Sequence, residues 1–239
     1  FAFDIAKDGR AAAIVVVGKN PAATTITAAN ELTNYLFQIT GALFTIADKP
    51  DADRNAILVG TPYPDGKSEE FCIRVKDAKT LELTGEGTRG TIYAVYALLG
   101  QFGVRFWAPG DETVPRTKDL SVTQGFSVVS SPAFEERGPW GESILDFKWC
   151  VRNRVPSTGI PANWGGGFGV DGCESLGCRW LLRERYYKDH PDWYAWRQGE
   201  KRHSPKGQIC TLNEEAIRQL IAEIREKLKK APDTRSVSV

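Results

Sequence analysis

The chain has 239 residues, 41% of them hydrophobic and 26% charged, with a formal net charge of +1. This is the balance of a globular protein long enough to bury one large core or two ordinary ones. A near-neutral charge argues against a nucleic-acid partner, and no apolar run approaches the roughly 18 residues of a membrane span.

The start, "FAFDIAKDG", carries neither Met nor a leader peptide, which implies a mature or trimmed product. "AAIVVVG" (12–18) reads as a buried strand. "TTITAANELTNYLFQITG" reads as a helix, because Ala29, Leu32, Leu36 and Ile39 repeat at helical spacing and Gly41 suits its C-terminal cap. Short strands follow at "LFTI" (43–46), "AILVG" (56–60), "FCIRV" (71–75) and "TLELT" (80–84), separated by Pro, Gly and Asp turns. A second helix over 89–102 buries Ile92, Val95, Tyr96, Leu99 and Phe102. The expectation for 1–125 is a small α/β sandwich.

Between strand and helix lies "GEGTRG", in which Gly85-x-Gly87-x-x-Gly90 has the spacing of a dinucleotide-binding fingerprint, with Asp111 and Glu112 downstream. On that reading the chain is a nicotinamide- or flavin-dependent oxidoreductase. The other reading is a strand-to-helix turn that needs positive φ. "TLELT" alternates apolar and polar residues, which predicts a strand solvated on one face, whereas a dinucleotide fold begins on a buried parallel strand. The motif also comes after several strands, so the turn reading is favoured and no cofactor is expected.

From 126 onwards the composition changes, and six of the seven Trp lie between 140 and 196. "VPSTGIPANWGGGFGVDG" (155–172) is a long Gly- and Pro-rich loop of the kind that carries function or is disordered. "LLRERYYKDHPDWYAW" starts as a short helix that breaks at Pro191, and "GQIC" (207–210) reads as a strand. "NEEAIRQLIAEIREKLKK" is a strongly amphipathic helix: Ile217, Leu220, Ile221, Ile224 and Leu228 are expected to form its buried stripe, and Asn213, Glu214 and Glu215 an acidic first turn. This βα rhythm predicts the first part of a (β/α)8 barrel over 126–239, truncated well short of the roughly 250 residues of a full barrel. Of the five Cys, Cys173 and Cys178 fit either a disulfide or unpaired thiols, and the spacing of Cys and His suggests no metal.

"LTGEGTRGTIYAVYALLGQFGVRFWAPGDETVP" and "AANELTNYLFQITGA" resemble the small α/β domain that precedes the barrel in glycoside hydrolases such as the α-glucuronidases (family 67) and β-hexosaminidases (family 20). "FEERGPW", "RNR" (152–154), "KDHPDWYAW" and "GQICTLNEEAIRQLIAEIREKLK" resemble the domain of unknown function 4838, associated with glycoside hydrolase family 163. The resemblance implies a secreted, periplasmic or cell-surface enzyme that cleaves β-linked N-acetylglucosamine in glycans such as complex N-glycans. The implied mechanism is retaining and assisted by the substrate's acetamide. No matching catalytic acid precedes residue 239, so the resemblance sets the catalytic pair beyond it.

Arg137 matches an Arg that holds sugar hydroxyls in family 20, as a guanidinium fork suits that task; its alternative is an ion pair with Glu135 or Glu136. Trp140, Trp164 and Trp193 are candidates for stacking on sugar faces, or for core packing. Trp164, beside Gly165-Gly166-Gly167, is the better sugar candidate; relatives often carry His where Phe168 stands. His190, in the family-like "DHPDW", is a further substrate-binding candidate whose alternative is to cap or pack, and Arg152 and Arg154 are expected to be structural. The rival in another class is a non-catalytic carbohydrate-binding protein that uses the same Trp-rich loop.

Overall fold

The computed structural model describes residues 2–63, 65–134, 137–138, 146–157, 159–167, 180–199, 202–203 and 208–230. Contacts divide the chain into two compact units, Phe1–Gly167 and Phe168–Val239. The described fold is mixed α/β.

The first unit is built on a six-stranded sheet. In chain order its strands and neighbours are β1 (Ala2–Lys7), β2 (Arg10–Ala11), β3 (Ala13–Val16), α1 (Ala23–Thr40), β4 (Ile46–Ala47), β5 (Asn55–Thr61), β6 (Phe71–Asp77), β7 (Thr80–Gly85), α2 (Gly90–Gln101), β8 (Arg105–Ala108), β9 (Asp111–Thr113), β10 (Leu120–Thr123), β11 (Ser127–Ser130) and α3 (Phe147–Arg152). The main sheet runs β11-β6-β7-β5-β3-β4. β4, β3, β5 and β7 are parallel, and β6 and β11 add antiparallel to that edge. β10-β1-β2 form a separate three-stranded sheet, and β8 and β9 a two-stranded one.

Alternation of side chains sorts the main sheet's two faces. Val15, Ile57, Val59, Ile73, Leu81 and Leu83 face the helices, where they join Ala29, Leu32, Leu36 and Ile39 of α1 and Ile92, Val95 and Leu99 of α2 in one core. α1 ends where expected: Gly41 takes φ 75° and its N–H donates to the Phe37 carbonyl at 2.7 Å. Ile14, Val16 and Ala56 form a small cluster on the opposite face.

Two expectations need correction. β7 is not solvated on one face: Leu81 through Thr84 are all buried, and Glu82 is only 4% exposed. Its alternation is real, but the polar face is covered. Arg74 Nε (2.6 Å) and Lys76 Nζ (3.1 Å) donate to the Glu82 carboxylate, and their aliphatic stems shield it. β7 is also parallel to β5. Secondly, "LFTI" contributes only Ile46, paired with Val15, because Leu43 is turned out to solvent.

α3 packs on this core through Cys150 and Val151. Arg152, at its end, lies over the rings of Tyr35 (5.4 Å) and Phe106 (5.3 Å) and pairs with Glu31 (3.2 Å) and Glu112 (3.5 Å). The same two carboxylates accept from the hydroxyls of Tyr96 (2.8 Å) and Tyr35 (2.7 Å). Arg152 is structural, as the sequence suggests.

In the second unit, α4 (Arg183–Tyr186), a 3-10 turn over Pro191–Trp193, β12 (Trp196–Arg197), β13 (Arg202–His203) and α5 (Glu214–Lys230) enclose a small core of Trp180, Leu181, Trp193, Tyr194, Ile209, Ala216 and Leu220. The short helix already ends at Tyr186, ahead of Pro191, which instead opens the 3-10 turn. Of "GQIC", Ile209 alone among the described residues makes a bridge, to Tyr194. Asn213 caps α5 by accepting from the Ala216 N–H at 3.1 Å. The apolar stripe of α5 is only partly buried. Ala216 and Leu220 are covered, whereas Ile221 (42%) and Leu228 (37%) are exposed because the described core reaches only one side of the stripe.

Candidate functional site

The "GEGTRG" turn answers its own question through packing. Gly87 takes φ 67° with open space around it. Gly85 and Gly90 serve close approach instead: a Cβ on Gly85 would lie 2.1 Å from the Gly90 carbonyl carbon, and one on Gly90 would lie 2.6 Å from the Glu70 carbonyl oxygen. The turn presses β7 and α2 together and aims Thr88 and Arg89 at the chain that follows Trp164. Thr88 Oγ1 donates to the Gly165 carbonyl (2.7 Å), and Arg89 Nη1 to the Gly166 carbonyl (2.8 Å). Gly165 must be glycine here, with φ 99° and with Arg89 Cγ only 2.5 Å from where its Cβ would stand.

Arg89 Nε also donates to Oε1 of Glu69, a residue 4% exposed. The other carboxylate oxygen, Oε2, accepts from Nη2 of Arg137 at 2.7 Å. Glu69 therefore joins two guanidiniums that lie far apart in sequence. Arg137 is further held through its Nη1, which donates to the Phe134 carbonyl (2.6 Å), and its Nε, which donates to the Arg154 carbonyl (3.2 Å). Glu69, Phe71, Tyr93, Ser130, Arg137 and Arg154 line a cavity of about 300 Å³. A larger groove, about 710 Å³, opens at the C-terminal end of α1 among Gln38, Thr40, Arg116 and Lys118, but no buried unsatisfied side-chain group lines it among the described residues.

Three features of the smaller cavity run against folding alone. Glu69 (φ 60°) and Arg154 (φ 59°) occupy the left-handed region, at a cost of about 1–3 kcal/mol each for a non-glycine residue. The only other such residues described are Asp8 and Asp65, a type that tolerates this conformation in turns. The third feature is Tyr93, 2% exposed, whose hydroxyl has no hydrogen-bond partner of good geometry among the described residues although it lies near Arg137. Leaving such a group dry and unpaired costs about 1–3 kcal/mol. Burial, reinforced by the Glu69 charge, pushes the Tyr93 phenol up to about 12.

The predicted residues distribute as follows. Arg137 lines the cavity, and its carboxylate partner is Glu69; Glu135 and Glu136 lie outside the described residues, as do Trp140, Phe168, Cys173 and Cys178. Trp164 is half-buried, edge-on to Phe147 at 5.4 Å, with Lys148 over its ring. In the second unit, His190 stacks on Trp193 at 4.0 Å, and Trp193 is buried against Tyr186. Cys72, Cys150 and Cys210 are thiols, burial pushing the first two up. Among the described residues no three His, Cys, Asp or Glu gather as a metal site, and no helix is long and apolar enough to cross a membrane. Sequence reading missed Glu69, Arg89 as a clamp, and Tyr93. Arg89 carried a signal, a charge inside a glycine turn, and Tyr93 stands in the family-like helix pattern that opens at Gly90; Glu69 carried none.

A family model described as a domain of unknown function, DUF4838, matches residues 106–239, more than half of the chain. The chain belongs to the DUF4838 family. No curated protein matches it. Among solved structures, a family GH115 4-O-methyl-α-glucuronidase with specificity for decorated arabinogalactans is similar to this DUF4838 chain with a TM-score of 0.59 at 15% identity. The alignment covers 95% of this chain and 41% of the glucuronidase, so the chain spans less than half of that relative's length. A mutant Streptomyces plicatus β-hexosaminidase in complex with GlcNAc aligns with a TM-score of 0.46 at 10% identity, over 99% of this chain and 55% of its own. The first likeness establishes a glycoside-hydrolase-like fold for the DUF4838 chain.

Proposed function

We propose that this DUF4838 chain is the N-terminal part of a glycoside hydrolase of the family 163 type, secreted, periplasmic or on the cell surface. Its substrate is a glycan containing β-linked N-acetylglucosamine, such as a complex N-glycan. Residues 1–125 are its accessory α/β domain and 126–239 the opening of a (β/α)8 barrel. The catalytic carboxylates lie outside these residues, and cleavage is retaining and assisted by the acetamide. In this chain the sugar-binding candidates are Arg137 and Trp164 in the first unit, with Trp140 and His190 as further ones, whereas Trp193 is taken up by the core of the second unit.

The observation that carries this reading is Arg137. The side chain matched by sequence to a sugar-holding Arg lines a polar cavity, and a buried carboxylate fixes its fork. A guanidinium held in this way gives directional hydrogen bonds without first losing rotamer freedom. The test is Arg137→Ala in the full-length protein, assayed on N-glycans and p-nitrophenyl glycosides. We expect kcat/KM to fall at least about tenfold, the scale of one lost charge-assisted hydrogen bond, with the folded far-UV spectrum retained. Unchanged cleavage would remove Arg137 from the site.

A further inference from the structure

The clamp on Arg137 uses Glu69 completely, and two donors in the same cavity are left over. Glu69 gives one oxygen to Arg89 and the other to Arg137, so its charge is neutralised within the protein. The Arg154 guanidinium lies over the Phe71 ring at 5.8 Å and has no ion pair or hydrogen bond among the described residues. The Tyr93 hydroxyl has no partner of good hydrogen-bond geometry there, although Arg137 lies near, and as a phenol it is protonated at neutral pH and can donate. Two guanidiniums, Arg137 and Arg154, line the cavity against the single carboxylate of Glu69, which Arg89 also pairs. Ser130 and Ser131 supply hydroxyls on the remaining wall. The volume, about 300 Å³, accommodates one monosaccharide unit with its substituent.

We propose that this cavity binds an oxyanion, carboxylate or sulfate, carried on a saccharide, with Arg154 and Tyr93 as its donors. The inference rests on the saccharide reading above, but not on hydrolysis. The buried Tyr93 hydroxyl lacks an acceptor, and Arg154, an exposed residue, lacks a carboxylate partner among the described residues. A neutral hydroxyl would satisfy Tyr93 yet leave Arg154 without a charge partner, whereas an oxyanion satisfies both. The left-handed backbone at Glu69 and Arg154 fits a site preorganised at the expense of stability.

The test is calorimetric titration of the full-length protein with D-glucuronate, N-acetylglucosamine 6-sulfate, glucose and inorganic sulfate. We expect one of the two acidic sugars to bind at least about tenfold more tightly than glucose, and Arg154→Gln and Tyr93→Phe each to weaken it about tenfold. Tyr93→Phe should also raise the melting temperature of the ligand-free protein, since it removes an unsatisfied buried hydroxyl. Higher stability with weaker binding is a pair of effects that misfolding does not produce. Equal binding of glucose, no binding of either acidic sugar, or indifference to both variants overturns the inference. Inorganic sulfate binding as tightly as the sulfated sugar overturns its saccharide part. Cleavage of neutral N-acetylglucosamine glycans without acidic-sugar binding sinks this inference and leaves the hydrolase standing; acidic-sugar binding without any cleavage does the reverse.

Discussion

Two buried glutamates show how differently the same residue type is stabilised. Glu69 is clasped between two arginines from distant segments, whereas Glu82 is covered by Arg74 and Lys76 from the adjacent strand. Burial alone would push the Glu82 carboxyl up, but hydrogen bonds from Arg74 and Lys76 outweigh it and hold the group below its ordinary 4.5. A depressed folded value means that this group's stabilisation is present above about 4.5, the unfolded value, and is lost as pH falls through the folded one. Glu82→Gln should therefore be less stable than the native protein at pH 7, with the gap closing in acid; chemical denaturation at pH 7 and pH 3 measures both. A gap that persists at pH 3 would show that Glu82 acts by packing alone. Neither environment was legible in the sequence. "TLELT" announces which side chains share a face, but not that the stems of neighbouring cations roof that face. Glu69 sits in an ordinary polar turn, "SEEF", and its burial depends on Arg89 and Arg137 arriving from elsewhere.

Among the elements, the glycine turn separates spacing from mechanism. Gly85 and Gly90 touch each other's backbone and Gly87 supplies a positive φ, so the three should respond unequally to alanine. Gly85→Ala, with its Cβ in collision with backbone, should cost about 3 kcal/mol or more. Gly87→Ala meets open space and should cost only about 1 kcal/mol, the conformational penalty. Urea denaturation of the two variants checks this, and equal losses would overturn the packing account. Periodicity made the helices legible: α1 starts and stops as read, down to its Gly41 cap. It misjudged α5, where five apolar positions share a stripe but Ile221 and Leu228 have no cover among the described residues. The spacing of apolar residues says that a helix has two unlike sides, not how much of the apolar one its neighbours reach.

At the scale of the first unit, Arg152 links α3 to α1 and β9 with two carboxylates and two aromatic rings in one cluster. Arg152→Met keeps most of the stem's packing but leaves Glu31 and Glu112 without their cation. The side chain is about one-fifth exposed, so the cost should stand below that of a fully buried pair, at about 2 kcal/mol. Thermal unfolding of Arg152→Met beside Glu31→Gln/Arg152→Met tests whether the orphaned carboxylate is the cause, since the second change should restore part of the loss. The sequence signalled the architecture of this unit through strand and helix spacing. It could not signal these long-range charge clusters, because nothing local links residue 31 or 69 to its partner.

The order in which the Glu69 clamp is completed has a consequence for biosynthesis. Glu69 and Arg89 leave the ribosome together, while Arg137 and the Gly165–Gly166 carbonyls follow about 50 to 75 residues later, several seconds of elongation at about 5–20 residues per second. During that interval the sandwich can close around an ion pair that already offsets its own charge. The nascent protein thus waits with half of the Glu69 cavity built, and later segments complete it.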